Sequence, residues 1–173
     1  MSVKVLSLDI SSVCTGWAFV ECSKEWRIAY GVIKNRGTCN QSEKLTNFRK
    51  ELIRVLEKYK PTNVVIEDVY QKINVKTYGV LSKFVGVAQG CCFEFLGVDP
   101  YIISTKTVKS FFKAKDKGEV FAFVVHLLGL KGFTFKHDND ITDAIAQLLC
   151  YCDGVLSVKN FRTKKEYGFL YEV

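Results

Sequence analysis

The sequence predicts an α/β fold: one mixed five-stranded sheet, three antiparallel strands followed by two parallel ones, with helices on both faces. Three observations carry this. Three runs rich in β-branched and aromatic residues follow one another at the N-terminus with only turn-length gaps. After them, strand-length apolar runs alternate with stretches of helical periodicity. The later connections are also long enough to be crossovers between parallel strands.

Residues 3 to 10 (VKVLSLDI), 16 to 21 (GWAFVE) and 26 to 34 (WRIAYGVIK) form the expected meander, separated by SSVCT and CSKE. From Leu45 the apolar positions Phe48, Leu52, Val55, Leu56 and Tyr59 recur at helical spacing, and Pro61 stops the helix. Residues 63 to 67 (NVVIE) read as a short buried strand and residues 78 to 96 as a long helix. Gly79, Gly86 and Gly90 weaken that helix by about 1 kcal/mol each, and glycines turned toward the sheet would allow close packing. Residues 100 to 103 give a fifth strand, and Ser104 or Thr105 caps a short helix to Phe112. A further helix covers 119 to 128, with His126 on its apolar pattern and expected in the core. The last helix starts near Asp138 or Asn139, carrying Ile141, Ala144, Ile145, Leu148, Leu149 and Cys152 as its apolar stripe.

At 173 residues the chain suits a single domain spanning 1–173, with 154–173 as a basic C-terminal extension. It is 48% hydrophobic and 25% charged, as an ordinary folded protein is. No signal-peptide pattern opens it and no apolar run approaches a bilayer span, so no membrane partner and a cytoplasmic or otherwise intracellular place are expected. The seven cysteines form no C-x-x-C pair and read as small buried hydrophobes in a reducing compartment. A net charge of +7 favours a polyanionic partner.

Four carboxylates stand out in this frame. Asp9 ends the first apolar strand, Glu67 ends NVVIE, and Asp140 and Asp143 lie in HDNDITDA, three apart on one side of the last helix and in its first turn. An ionised acid leaving an apolar strand needs a compensating charge once folded. Four carboxylates sum to about −4 and two Mg²⁺ to +4, so a two-metal phosphodiesterase site neutralises them most simply.

These segments resemble a known family. LSLDISSVCTGWAFV is similar to the first strand and turn of RuvC-type Holliday junction resolvases, of the ribonuclease H-like superfamily; VVIEDVY resembles their second motif and NDITDAIA their third. The resemblance runs from Val3 to about Asp153. It implies a Mg²⁺-dependent endonuclease, with Mn²⁺ as a substitute, of DNA recombination and repair. It also implies a homodimer that nicks a four-way DNA junction in symmetric pairs, leaving 5′ phosphates. Asp9, Glu67, Asp140 and Asp143 match the metal-binding acids, with His137 and Asp138 as alternatives for the third. Tyr70 matches an aromatic that meets unpaired bases at the crossover. Lys109 and Lys117 match catalytic basic positions facing the DNA. Lys72 and Lys76 beside Tyr70, and the run Lys109, Lys113, Lys115 and Lys117, read as DNA contacts. A small resolvase of this type suits a phage or large DNA virus as well as a cell. The rivals are a ribonuclease H-like enzyme acting on RNA or RNA–DNA hybrid, a branched-DNA-binding module without catalysis, and a fragment of an actin-like ATPase.

Overall fold

The computed structural model describes residues 3–22, 26–35, 39–69, 74–157 and 169–172, with side chains as far as residue 157. In chain order the elements are β1 (Val3–Asp9), β2 (Cys14–Cys22), β3 (Trp26–Lys34), α1 (Gln41–Tyr59), β4 (Asn63–Glu67), α2 (Val75–Leu96), β5 (Tyr101–Ile103), α3 (Thr105–Phe112), α4 (Lys117–Leu128), α5 (Phe135–Gly154) and β6 (Phe169–Glu172). The sheet runs β5-β4-β1-β2-β3-β6. β1 pairs antiparallel with β2, β2 antiparallel with β3, and β4 parallel with both β1 and β5. The five expected strands are therefore present in the expected senses. A sixth, β6, drawn from the C-terminal extension, adds parallel to β3.

Strand alternation divides the core in two. Leu6 and Leu8 of β1 and Val64 and Ile66 of β4 point to α1 and α2, where Phe48, Leu52, Leu56 and Phe84 fill the space. Val5 and Val65 point the other way, to α5 with α3 and α4 beyond it. Asp9 and Glu67, in phase with Val5 and Val65, are thereby sent to the α5 side at the carboxyl ends of two adjacent parallel strands. Open α/β sheets bind ligands there.

The helices begin where their first side chains can accept backbone N–H groups. Asn40 and Glu43 form a reciprocal capping box for α1, Ser104 caps α3 through Thr107 N–H, and Asp116 caps α4 through Glu119 N–H. α5 starts one turn earlier than expected because Asp138 turns back to accept the Thr134 N–H at 2.7 Å. Asp140 and Asp143 consequently lie beyond the first turn, so the end of the helix dipole does little for them.

Three other expectations are corrected. Side chains added at Gly79, Gly86 and Gly90 would meet nothing within 4 Å, so these glycines face outward from α2 and not toward the sheet. α2 is also, at 22 residues with mean hydropathy 1.2 over its most apolar 18, long and apolar enough to cross a bilayer, which no run was expected to be. Its Phe84, Ala88, Cys91 and Cys92 are nevertheless locked into the core. His126 is exposed, since the buried stripe of α4 is Val120, Val124 and Leu128 and His126 falls between its turns. Of the cysteines, Cys22, Cys91, Cys92, Cys150 and Cys152 are buried, whereas Cys14 and Cys39 are only partly so.

Candidate active site

Asp9 and Gly16 are register partners across β1 and β2. A Cβ on Gly16 would lie 1.9 Å from the Asp140 carbonyl oxygen, so only glycine lets α5 settle onto the sheet at this point. That close approach delivers Asp140 and Asp143 to the strand end carrying Asp9. The intervening turn is tied internally. Ser11 Oγ donates to the Cys14 carbonyl at 2.7 Å and accepts the Cys14 N–H at 3.0 Å, while Thr15 Oγ1 donates to the Ser11 carbonyl at 3.2 Å. Ser11 and Thr15 thus shape the turn, as ST-type turns do.

The acids feel one another. Burial pushes the Asp9 carboxyl well above the ordinary 3.8, the nearby Glu67 and Asp143 charges push it further, and a hydrogen bond with Glu67 adds to this. Burial likewise raises Asp143, against the pull of Lys117 and with Glu67 and Asp140 contributing in the same direction. Lys117 Nζ lies 2.6 Å from Asp143 Oδ2. Burial works against this ammonium, but Asp143 first, then Asp9 and Glu67, hold its pKa above that of an ordinary lysine. Lys117 is presented there because it opens α4 directly after the cap Asp116, while Glu119 reaches back to the Lys115 N–H at 2.8 Å.

Among the described residues no three His, Cys, Asp or Glu side chains close into a ready-made ligand cage. The donor set still fits a hard divalent cation. Its oxygens are carboxylates, two of them share a hydrogen bond, and the cluster carries more negative charge than Lys117, paired with Asp143 and acting more weakly on Asp9 and Glu67, can offset. Of the three candidates in HDND, His137 is exposed, Asp138 is engaged with Thr134, and Asp140 lies near enough to Asp143 to act on its charge. Asp140 sits against Cys14, whose thiol is pushed up to about 11 by burial and by that contact.

Three polar partners escaped the sequence reading. Both Glu67 oxygens are occupied: Thr105 Oγ1 donates to Oε1, and Gln147 Nε2 donates to Oε2 at 2.9 Å. Ser7 Oγ donates in turn to Gln147 Oε1 at 3.2 Å. Spacing could have found two of them, since Ser7 is two residues before Asp9 on one strand face and Gln147 is one turn after Asp143. Of the basic residues, Lys109 and Lys117 line one cleft with Glu67, Thr105, Asp143 and Gln147. Lys113 and Lys115 are exposed in the α3–α4 connection, and Lys76 is exposed in the first turn of α2. Tyr70 and Lys72 lie outside the described residues.

The family model described as Crossover junction endodeoxyribonuclease RuvC matches residues 5–151. A relative of that name from Caldicellulosiruptor saccharolyticus is 26% identical over 154 residues, covering 86% of this chain and 92% of its own. One from Koribacter versatilis is 29% identical over 154 residues, with the same coverage. Among solved structures, T. thermophilus RuvC in complex with Holliday junction substrate superposes with a TM-score of 0.76 at 20% identity, covering 90% of this chain and 97% of that one. That likeness bears on the fold, and it agrees with the ribonuclease H-like arrangement of the sheet. The matched span takes in all three acid-bearing segments, and the chain belongs to the RuvC family of metal-dependent crossover junction endodeoxyribonucleases.

Proposed function

We propose that this chain, a crossover junction endodeoxyribonuclease by family, cuts four-way DNA junctions in symmetric pairs at a site where Asp9, Glu67, Asp140 and Asp143 hold two Mg²⁺ ions, Mn²⁺ substituting. The observation that carries the reading is the crowding of carboxylates at one sheet end, Asp143 buried and the others partly so, with the Asp9 carboxyl pushed well above its ordinary value by burial and then by Glu67 and Asp143. Divalent ions held by these carboxylates would supply Lewis acidity for the attack of water on the phosphodiester and for departure of the 3′ oxygen. The chain's own groups do the rest. Glu67 is oriented by Thr105 and Gln147, and the β2–α5 approach at Gly16 brings the Asp140 backbone onto the register partner of Asp9. Lys117, 45% exposed along its side chain, is free to leave Asp143 once that carboxylate is neutralised and to offset charge building on the scissile phosphate. Lys109 lines the same cleft, and Lys113 and Lys115 extend the positive edge toward the DNA backbone.

Paired nicks require two sites related by a two-fold axis, which a homodimer supplies. α2 offers a surface for it. Val75, Gly79, Ser82, Gly86, Gly90 and Phe93 recur three and four residues apart along one stripe, with Val75 86% and Phe93 71% exposed and open space over the glycines. Such work on DNA places the enzyme inside a cell, its own or an infected one.

Cleavage of a labelled synthetic four-way junction in Mg²⁺, beside a linear duplex and an RNA–DNA hybrid, tests the reading. Paired symmetric nicks by wild type and none by Asp143→Asn are expected. Cutting of the hybrid in preference would replace the substrate, and junction binding without cutting in either metal would leave only a binding module.

A further inference from the structure

Gln147 is 1% exposed and Ser7 is fully buried, yet both are polar and both lie between β1, β4 and α5 in an otherwise apolar layer. A buried amide or hydroxyl in such a place is destabilising when left without a partner, so residues of this kind persist where their hydrogen bonds are complete. Here they are complete in one direction only. The Ser7 hydroxyl donates to Gln147 Oε1, which fixes the amide with its NH₂ group toward Glu67, and that NH₂ donates to Glu67 Oε2. Thr105 at the start of α3 holds the other oxygen. The chain Ser7–Gln147–Glu67 therefore links β1, α5 and β4, the three elements that carry the four acids.

We infer that Gln147, oriented by Ser7, is a positioning residue that sets the Glu67 carboxylate for metal binding. The inference rests on the two-metal reading above. It assigns Gln147 no contact with substrate or metal. Its effect passes through one oxygen of Glu67, and Ser7 acts one bond further away. A ligand held in its binding orientation before the cation arrives loses less freedom on binding, which is the general effect of outer partners on metal ligands.

The test is Mn²⁺ titration of the intact protein without DNA, followed by the electron paramagnetic resonance of the free ion. Gln147→Met keeps the side-chain volume and removes both hydrogen bonds; Ser7→Ala removes only the hydroxyl and serves if the first variant folds poorly. Roughly 10- to 100-fold weaker Mn²⁺ binding is expected for Gln147→Met, and a smaller loss in the same direction for Ser7→Ala. In a Glu67→Gln background the Gln147→Met effect should vanish, because its route is gone. Binding within twofold of wild type in folded Gln147→Met or Ser7→Ala protein would overturn the inference alone, as would an undiminished effect in the Glu67→Gln background. A wild-type chain that takes up no Mn²⁺ would instead overturn the metal reading, and this inference with it.

Discussion

α5 and α2 are nearly equal in length, 20 and 22 residues, and they pack on opposite faces of one sheet. Their surroundings differ. Every residue of α5 from Thr142 to Cys152 is buried, because β1, β2 and β4 lie on one side and α3 and α4 on the other. α2 buries only Phe84, Ala88, Cys91 and Cys92, against α1 and the sheet, and turns an apolar, glycine-lined stripe outward. The difference separates two tasks. A helix enclosed on both sides can place Asp143 and Gln147 where water is scarce and charges act strongly on one another. A helix covered on one side leaves a surface for another molecule.

The largest break in this contrast is expected from the acids themselves. Asp143→Asn should lower junction cleavage by at least about 100-fold, while the circular dichroism spectrum stays native. Removing that buried charge also releases Lys117 from its ion pair. Retained cleavage would move the chemistry away from α5.

Glycine substitutions then compare the two helices directly. Gly16→Ala forces a Cβ to 1.9 Å from the Asp140 carbonyl oxygen, a clash with backbone that no rotamer relieves. Overpacking costs about 1–3 kcal/mol where side chains can yield, and this site should lie at or above the top of that range. Cleavage should fall with it, since α5 must retreat from Asp9. Chemical denaturation and the cleavage assay together read both effects; an Ala variant as stable and active as wild type would show that the close approach is unnecessary.

Proton linkage offers a gentler probe of the α5 side. Asp9, whose ordinary value is 3.8, titrates higher in the folded chain, so the metal-free fold holds a proton that the unfolded chain releases. The stability due to this group is complete below pH 3.8 and is lost as pH rises through the raised value. Asp143 shifts in the same direction, while Lys117, raised from 10.5, keeps its charge throughout this window and contributes until strongly alkaline pH. At one fixed concentration Mg²⁺ should therefore raise the unfolding temperature more at pH 8 than at pH 5: a hundredfold excess over the pH 8 Kd stabilises the fold by about 2.7 kcal/mol there, and by less at pH 5, where protons compete for the carboxylates. Equal rises at the two pH values would contradict the linkage.

What was legible in the sequence follows the same division. Asp9 and Glu67 could be placed because a strand alternates with period two, so its last residue shares a face with those two and four before it; Asp140 and Asp143 could be paired because three residues return to one helix face. The start of α5 was misplaced because Asp138 caps backward across Thr134, a contact that periodicity does not encode. The outward turn of Gly79, Gly86 and Gly90 was missed for a related reason. On a helix apolar on most of its circumference, the pattern does not say which side meets the sheet. His126 was placed in the core on the same ambiguity, on an α4 whose apolar residues surround it. Gln147 and Ser7 look like ordinary polar residues until three elements converge, and β6 pairs with β3 across more than a hundred residues.

The smallest effect is the most discriminating for α2. Gly86→Ala adds a methyl where nothing lies within 4 Å and replaces a poor helix former, so an isolated protomer should gain about 0.5–1 kcal/mol. If the stripe only faces solvent, that gain is independent of protein concentration. If a second copy packs its own helix there, as the homodimer reading has it, close backbone approach depends on the missing side chain, and the same methyl should weaken dimerisation. Sedimentation and thermal melts at two concentrations separate the outcomes: a higher unfolding temperature when dilute with a shift toward monomer when concentrated places the dimer on α2. A uniform gain with unchanged association would put the partner copy on another face and leave the glycines of α2 as simple concessions in helix stability.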